Sequence, residues 1–271
     1  MTSPAPPVVL VFAGSDPTGG AGIAADVLTL ASLGCHAAPV VTAVTAQDTS
    51  GVKQFDLVDP ELVIAQARAV LEDMAVAAVK TGMLGSTATV AAVEGIMRDY
   101  PKLPLIVDPV QASDRGDALA AEALDDALRA LLIPRALLVT PNSLEARALA
   151  PTGDTLDACA QDLLSLGAQY VLITGTHEPG ASVQNRLYGN RRLLDTFSFE
   201  RLPNQYHGSG CTLAAACAGV IAHGLDPLNA ITQAVHFTYD CLRHAYRAGM
   251  GQLLPDRLFW SRRRSAFKSD A

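Results

Sequence analysis

Short apolar runs and longer amphipathic stretches alternate along the chain. Residues 8–13 form a continuous apolar run, and residues 23–33 place apolar side chains at helical spacing before Gly34. Further runs predict strands at residues 39–44, 52–58, 75–82, 104–109, 136–141 and 170–175. Helices are predicted from residue 60, at 86–97 and 117–132, from 142 and 154, after Cys211, and at 228–246. The pattern therefore predicts βα units along most of the chain.

This alternation predicts a fold class. Strands separated by helices of about 10 to 15 residues require parallel crossovers, so we expect a three-layer α/β/α sandwich with a mostly parallel central sheet. Residues 183–189 and 191–199 predict a small hairpin insertion with a turn at Gly189-Asn190. We see no linker and expect one domain, residues 1–271, with flexible ends at 1–7 and 262–271. Ligands of such sheets bind beyond the carboxyl ends of the strands.

Composition narrows the class of protein. The 271 residues are 49% hydrophobic and carry a net charge of −7, which argues against a nucleic-acid partner. We interpret the basic cluster near the end as a solvated tail; it contains Arg262, Arg263, Arg264 and Lys268. The apolar run at residues 8–13 is too short for a signal sequence or a membrane span, so we expect a cytoplasmic protein. The odd number of widely spaced cysteines indicates reduced thiols.

Candidate ligand-binding residues follow the first two strands. The loop at residues 14–22 has four glycines, which let a ligand approach the backbone closely. Asp26 follows in an apolar stretch, either as a helix-surface residue or as an acceptor for a ligand's amine or hydroxyl group. Gln47 follows the second strand, where its amide could read a heteroaromatic ring edge. From the residues alone, simple turn chemistry is the favoured interpretation of Gln47.

Two groups of residues are candidate metal ligands. Asp108 ends one predicted strand, and Asn142 and Glu145 follow the next, so the three could hold a hydrated Mg²⁺ ion. The same spacing predicts that Asn142 caps a helix and that Glu145 completes a capping box, and both roles could coexist. A second set lies at helical spacing near the end of the chain, namely His236, Asp240 and His244. We interpret this set as a solvated or oligomer-facing stripe rather than a metal clamp.

The stretch Gly208, Ser209, Gly210, Cys211 opens an alanine-rich helix and predicts an anion cradle. Free backbone N–H groups at a helix start converge on one point, where the helix dipole also favours an anion. Phosphoryl transfer needs such a cradle. A cysteine there could instead have a lowered pKa and act as a nucleophile with His207 as base. Two classes therefore compete, an ATP-dependent kinase and a thiol hydrolase or transferase, and the magnesium-type residues favour the kinase.

Six segments of the chain resemble the hydroxymethylpyrimidine/phosphomethylpyrimidine kinases of thiamine biosynthesis, which have the ribokinase-like fold. They are AGSDPTGGAGIAADVLTLASLG, VTAVTAQDTSGV, VKTGMLGS, IVDPV, VTPNSLEA and HGSGCTLAAA, in the family's order. The resemblance implies MgATP-dependent phosphorylation of 4-amino-5-hydroxymethyl-2-methylpyrimidine to its monophosphate and then its diphosphate. It implies a homodimer, while the net charge and the short apolar runs predict no nucleic-acid or membrane partner.

The resemblance also implies roles for individual residues. Gln47 would read the pyrimidine ring and Asp26 its polar edge, which replaces the turn interpretation of Gln47. The other residues of the acceptor pocket would be Gly14, Ala21, Met83 and Val110. Asp108, Asn142 and Glu145 would serve Mg²⁺ and phosphate. Gly208, Ser209, Gly210 and Cys211 would form the anion hole, and Thr174 with Gly208 and Gly210 would bind ATP.

Two departures from the family pattern leave alternatives open. A family lysine is replaced in the stretch at residues 173–177, which contains Thr174, and a second is missing near Arg115, which could replace its charge. These changes question the second phosphorylation. The alternatives are a pyridoxal-type kinase of the same fold, a kinase that performs one of the two transfers, and a catalytically inactive vitamin-binding protein.

Overall fold

The computed structural model describes residues 5–110 and 118–262, and the strands within these ranges form one sheet. Along the chain they are β1 (Val8–Ser15), β2 (His36–Asp48), β3 (Gly51–Leu57), β4 (Val76–Thr81), β5 (Leu105–Val107), β6 (Leu138–Val139), β7 (Tyr170–Ile173), β8 (Ser182–Gly189) and β9 (Arg192–Glu200). Their order in the sheet is β3-β2-β1-β4-β5-β6-β7-β8-β9. The six central strands are parallel, and β3, β8 and β9 are antiparallel to their neighbours. The mostly parallel sheet is confirmed.

The helices begin close to the predicted capping residues. In the described ranges they are α1 (Gly22–Ser32), α2 (Pro60–Asp73), α3 (Thr87–Asp99), α4 (Ala118–Ala127), α5 (Ser143–Leu149), α6 (Leu156–Leu166), α7 (Ser209–Ala222), α8 (Pro227–Arg243) and α9 (Phe259–Arg262). The side chains of Asp59, Ser86 and Asn142 accept hydrogen bonds from the first turns of α2, α3 and α5. The predicted helix at residues 117–132 ends as an α-helix at Ala127 and continues as a π-helical turn, Leu128–Leu132.

Two apolar clusters cover the two faces of the sheet. Alternate residues of a strand point to opposite faces, and in β1 Leu10 and Phe12 pack in one cluster while Val9 and Val11 pack in the other. The first cluster includes residues of α2, α3, α4, α5 and α6, and the second includes residues of α1, α7 and α8. The three-layer arrangement follows from this division.

One strand boundary and one strand pairing differ from the sequence prediction in ways that matter for the site. β2 does not end at residue 44 but runs to Asp48 and forms a hairpin with β3, so Gln47 lies within a strand. The predicted hairpin insertion is instead the edge of the central sheet, because β8 pairs with β7. Its turn is made by Asn190 and Arg191, whose φ angles of 51° and 58° suit a tight hairpin turn. An unpaired insertion would have left the polar backbone of β7 exposed.

Some predictions fall outside the described residues. They concern Arg115, the basic residues Arg263, Arg264 and Lys268, and most of the two chain ends predicted to be flexible. The structure contains no helix long and apolar enough to cross a membrane within residues 5–110 and 118–262. The last predicted helix ends at Arg243 rather than residue 246, and α9 was not predicted.

Candidate active site

The predicted anion cradle, Gly208 to Cys211, lies at the first turn of α7. Gly208 caps this helix with φ +80°, and a side chain there would collide with the carbonyl oxygen of Gly20. Residues 212–221 of the helix are buried, and α7 packs against β1, β4 and β5. A Cβ atom on Gly210 would lie 3.8 Å from Oδ1 of Asp108. The N-terminus of α7 therefore meets the carboxyl ends of the central strands, where its free N–H groups can bind an anion, and Asp108 lies beside it.

Asp16 organises the glycine-rich loop after β1. Its carboxylate accepts hydrogen bonds from the backbone N–H groups of Thr18 and Ala21, at 2.8 and 2.7 Å. The Nε2 atom of His207, just before the cradle, lies 2.9 Å from Oδ2 of the same carboxylate. These hydrogen bonds lower the pKa of Asp16 despite its burial, which alone would raise it. Asp16 thus links the loop after β1 to the cradle, and His207 is held by a carboxylate rather than by Cys211.

The expected acceptor residues lie around the end of β1. A Cβ atom on Gly14 would lie 3.3 Å from Sδ of Met83, so the end of β1 adjoins the segment that follows β4. Nε2 of Gln47 donates to Oγ1 of Thr45, which donates in turn to the carbonyl oxygen of Ser15. Gln47 therefore faces the same loop. Val110 follows β5 and is half-buried, with its N–H bonded to the carbonyl oxygen of Asp108.

A buried lysine lies beneath these loops. Nζ of Lys80 is 3.0 Å from Oδ2 of Asp26 and 3.8 Å from Oδ2 of Asp108, and the Lys80 and Asp26 side chains have no exposed surface. Burial lowers the pKa of Lys80, but the two carboxylates outweigh it and raise the pKa above its usual range. Asp26 is thus enclosed in an ion pair. Direct contact between Asp26 and a ligand would require its covering residues to move.

Cys211 is a neutral thiol in this structure. Burial raises the pKa of Cys211 to about 12, with Lys80 opposing the shift and the charges of Asp108 and Asp26 adding to it. The expectation of a lowered pKa at the helix start is therefore wrong, because desolvation and two nearby carboxylates exceed the effect of the helix. The Asp108 carboxyl group and the backbone N–H of Gly22 lie close enough to this thiol to influence its pKa. This environment does not suit a thiolate nucleophile.

Asn142 and Glu145 form the predicted capping box at the start of α5. Oδ1 of Asn142 accepts from the N–H groups of Leu144 and Glu145, and Oε2 of Glu145 accepts from the N–H of Asn142. Burial and the charge of Asp108 raise the pKa of Glu145 to about 8, and burial raises that of Asp108 to about 6. Both lone pairs of the Asn142 side-chain oxygen accept hydrogen bonds, so this residue holds Glu145 in place rather than offering that oxygen to a metal ion.

The oxygen donors at this edge fit a hard cation. Oδ2 of Asp108 is buried and has no hydrogen-bond partner among the described residues. Burial is the main cause of the raised pKa of both carboxyl groups, and a bound cation would offset it by stabilising their charged forms. Carboxylate oxygens are the ligands that Mg²⁺ prefers. The residues present therefore fit a magnesium ion between the capping box and the cradle.

A mostly apolar cavity of about 130 Å³ opens on the other side of the cradle. Thr174, Ser209 and Gly210 line its inner end, and its walls come from Phe199, Leu202, Leu213, Val235, Tyr239 and Leu242 among other residues. A flat aromatic ring with a polyphosphate tail matches a cavity that is apolar at one end and has free N–H groups at the other. Arg201 also lines the cavity and donates to the carbonyl oxygens of Thr176, Glu178 and Gly180, which orders the loop where the family lysine is missing.

The histidine stripe near the end of the chain lies apart from these loops. His236 packs edge-on against Phe197 and Phe199, and the His244 ring stacks on Phe259 with centroids 5.0 Å apart. His244 follows the last residue of α8 rather than continuing its face. These two histidines therefore pack against aromatic rings and do not form the continuous solvated or oligomer-facing stripe predicted from the spacing.

Sequence reasoning missed three charged residues that the structure brings to the site. Lys80 was quoted within a motif but not assigned a role, and a lysine inside an apolar strand was the signal that could have identified it. Asp16 and Arg257 were not singled out. Arg257 is 3% exposed and its guanidinium lies against both glycine-rich loops, a placement that no local pattern indicates.

Comparisons with known proteins agree with this geometry. The family model described as phosphomethylpyrimidine kinase matches residues 16–256. The chain belongs to the phosphomethylpyrimidine kinase family. A hydroxymethylpyrimidine/phosphomethylpyrimidine kinase of Mycobacterium bovis is 43% identical over 252 residues, which cover 91% of this chain and 92% of that protein.

This chain has the same fold as solved structures of pyridoxal kinase and phosphomethylpyrimidine kinase. The ADP complex of Bacillus subtilis pyridoxal kinase matches with a TM-score of 0.87 and 27% identity, over 94% of this chain and 98% of that chain. A phosphomethylpyrimidine kinase from Clostridium difficile matches with a TM-score of 0.74 and 30% identity, over 87% and 99% of the two chains. The chain is thus a phosphotransferase with the ribokinase-like fold expected from the six motifs.

Proposed function

We propose that this phosphomethylpyrimidine kinase family member transfers the γ-phosphoryl group of ATP to the hydroxymethyl oxygen of 4-amino-5-hydroxymethyl-2-methylpyrimidine, and then to the resulting monophosphate. The observation that carries the proposal is the convergence of three parts on one point. The loop held by Asp16 and the carboxyl group of Asp108 each lie next to the helix start at Gly208–Cys211. Such an arrangement can hold a phosphoryl group between a nucleotide and an acceptor.

The acceptor is held on the β1 side of the cradle. The amide of Gln47 can donate to and accept from the edge of an aminopyrimidine in one plane. Gly14 and Met83 provide a close, apolar surface for the ring, and Ala21 and Val110 complete the pocket. Asp26 acts through Lys80, whose ammonium group it holds below the site. An Arabidopsis thaliana relative, 37% identical over 245 residues, is named a thiamine biosynthetic bifunctional enzyme, which supports thiamine biosynthesis as the pathway.

The nucleotide occupies the cavity on the opposite side. Its base lies in the apolar part, and its phosphates extend past Thr174 to Gly208 and Gly210. The N–H groups of residues 209–211 at the helix start stabilise the charge that spreads over the oxygens of the transferred phosphoryl group. The carboxyl groups of Asp108 and Glu145 would hold Mg²⁺, and Asn142 holds Glu145 in place. Magnesium supplies positive charge that neutralises the phosphates.

We also propose that the single domain spans residues 1–271, is cytoplasmic and forms a homodimer. The hairpin of β2 and β3 carries two exposed apolar side chains, Val44 at 57% and Leu57 at 43%, that a second copy could cover. Light scattering during size-exclusion chromatography measures the assembly. A mass of one chain for the wild type contradicts the dimer, whereas a dimer that Val44→Lys dissociates supports it.

Release of ADP with each of two acceptors tests the acceptor class. Purified protein, ATP and Mg²⁺ are mixed with the hydroxymethylpyrimidine or with pyridoxal, and kcat/KM is measured for both. We expect a higher kcat/KM for the pyrimidine, and Gln47→Leu should lower that value more than Gln47→Asn does. A higher value for pyridoxal would favour the pyridoxal-type kinase, and no ADP release with either acceptor would contradict a kinase.

A further inference from the structure

Arg257 joins the two glycine-rich loops of the site. Its Nη2 atom donates to the carbonyl oxygen of Gly20 at 2.6 Å and to that of Gly208 at 3.5 Å. Nη1 donates to the carbonyl oxygen of Gly19 at 3.4 Å, and Nε donates to Oγ1 of Thr212 at 3.0 Å. One side chain therefore contacts the acceptor loop, the cap of α7 and the first turn of α7.

The segment that carries Arg257 is itself fixed to the cradle. The N–H of Leu253 donates to the carbonyl oxygen of Gln205 at 3.0 Å, and the N–H of His207 donates to that of Leu253 at 2.9 Å. The same segment reaches the β2–β3 turn, because the N–H of Gln252 donates to the carbonyl oxygen of Thr49 at 2.8 Å. These bonds place the guanidinium behind the cradle rather than in solvent.

Stability alone is a poor reason for this placement. Arg257 is 3% exposed, its hydrogen bonds go to uncharged oxygen atoms, and burial lowers its pKa. A buried charge with such partners is costly unless it serves another purpose. The planar shape of the guanidinium explains the placement better, because its separate N–H groups donate to three carbonyl oxygens and a hydroxyl at once.

We propose that Arg257 is a positioning residue for phosphoryl transfer, which fixes the distance and orientation between the acceptor loop and the anion cradle. The inference rests on the proposed kinase function. The guanidinium contacts carbonyl oxygens on the outer side of both loops and not the substrates. It acts through Gly20 and Gly208, whose backbones pack against each other and leave no room for a side chain at Gly208.

The test compares Arg257→Lys and Arg257→Ala with the wild type in the first phosphorylation at saturating ATP. We expect both variants to lose kcat on the order of 10²-fold, the cost of misplacing reacting groups by about 1 Å. The affinity for ADP, measured by calorimetry, should fall far less than kcat because Arg257 does not line the nucleotide cavity. Added guanidinium ion should restore part of kcat in Arg257→Ala. Arg98→Ala, an exposed arginine on α3, is the matched control and should keep wild-type kcat.

Three results would overturn the proposal. The first is a wild-type kcat in Arg257→Lys. The second is a loss of ADP affinity in Arg257→Ala as large as its loss of kcat. The third is a lowered unfolding midpoint in Arg257→Ala with an unchanged kcat. If Arg257→Ala does not fold, Thr212→Val removes one acceptor of the fork and should lower kcat in the same direction, and an unchanged kcat would contradict us.

Hydrogen exchange separates this proposal from the proposed function. In Arg257→Ala, amides at residues 19–22 and 208–212 should exchange faster than in the wild type, while those of β4 and α3 should not change. Unchanged exchange at both loops would refute the positioning role even in an active kinase. A wild type that phosphorylates nothing refutes the function, and the exchange measurement still decides the role of Arg257.

Discussion

The Nζ atom of Lys80 lies 3.0 Å from Oδ2 of Asp26, and neither side chain is exposed to solvent. The pair lies beneath the cradle, and Asp108 is the next carboxylate, 3.8 Å from the same ammonium group. A Cβ atom on Gly82 would lie 2.8 Å from this nitrogen, so the glycine two residues later leaves space for it. The buried lysine is therefore the common counter-charge for two carboxylates of the site.

Replacement of this lysine should destabilise the fold strongly. Lys80→Met removes the ammonium group and leaves Asp26 buried without it, which should lower the free energy of unfolding by about 3–5 kcal/mol. Urea denaturation at neutral pH measures the change. Lys53→Met removes the exposed partner of Asp48 and is the control, with a much smaller expected change because solvent screens this pair. Equal effects of the two substitutions would show that the buried pair has no special weight.

Glu145 should make the stability depend on pH in the absence of Mg²⁺. Its pKa is about 8 in the folded protein and 4.5 ordinarily. Between these two pH values the folded protein keeps the Glu145 proton, whereas the unfolded protein has released it. The contribution of Glu145 to stability therefore falls as pH rises from about 4.5 to about 8. Glu145→Gln keeps the capping box and removes the titration.

Urea denaturation of the wild type and Glu145→Gln in EDTA tests this linkage. We expect the stability of the variant relative to the wild type to increase between about pH 5 and about pH 8. Magnesium should reduce the difference at the upper pH by neutralising the carboxylate, and a difference that does not vary with pH would contradict the raised pKa.

The thiol of Cys211 should matter most for the second phosphorylation. A thiol with a pKa of about 12 is neutral at physiological pH and does not repel a phosphorylated acceptor. Cys211→Asp places a carboxylate there, and repulsion of about 1–4 kcal/mol at a separation of about 4 Å should slow the second transfer more than the first. Cys211→Asn has nearly the same size without the charge. The rates of the two transfers are measured separately for each variant. Cys211→Asp should slow the second transfer more than the first, and Cys211→Asn should not. Equal losses in both transfers of Cys211→Asp would exclude the charge explanation.

The apolar cavity should prove to be the nucleotide site. Leu242 lies in its wall, and Leu242→Trp should fill part of the space and raise the KM for ATP about tenfold or more, since about 1.4 kcal/mol of lost binding suffices. The KM for the acceptor should not change. Leu228→Trp, at an exposed position of the same helix, is the control. A rise in the acceptor KM alone would place the acceptor in this cavity.

The sequence predicted the layers of the fold and most of the loops of the site because both depend on local patterns. Apolar runs, capping residues such as Ser86, and glycines at strand ends such as Gly14 are visible along the chain. Gln47 was placed in a turn because its neighbours are polar, and pairing with Val52 across the hairpin keeps it in a strand instead.

The contacts that complete the site connect distant parts of the chain. Lys80 meets Asp26 across 54 residues, and Arg257 reaches Gly20 across 237 residues. No spacing rule relates such pairs, because their proximity results from the order of the strands and the path of the C-terminal segment. The pKa of Cys211 was predicted with the wrong sign for the same reason, since Asp108 and Asp26 approach it only in the folded chain.

The most direct test of the account is a time course of products by mass spectrometry. Wild-type protein is incubated with excess ATP, Mg²⁺ and 4-amino-5-hydroxymethyl-2-methylpyrimidine, and the monophosphate and diphosphate are measured together. We predict that the monophosphate rises first and then falls as the diphosphate forms, with no product when ATP is omitted. A monophosphate that accumulates without any diphosphate would contradict the claim that one cradle serves both acceptors, and the absence of both products would contradict the kinase function itself.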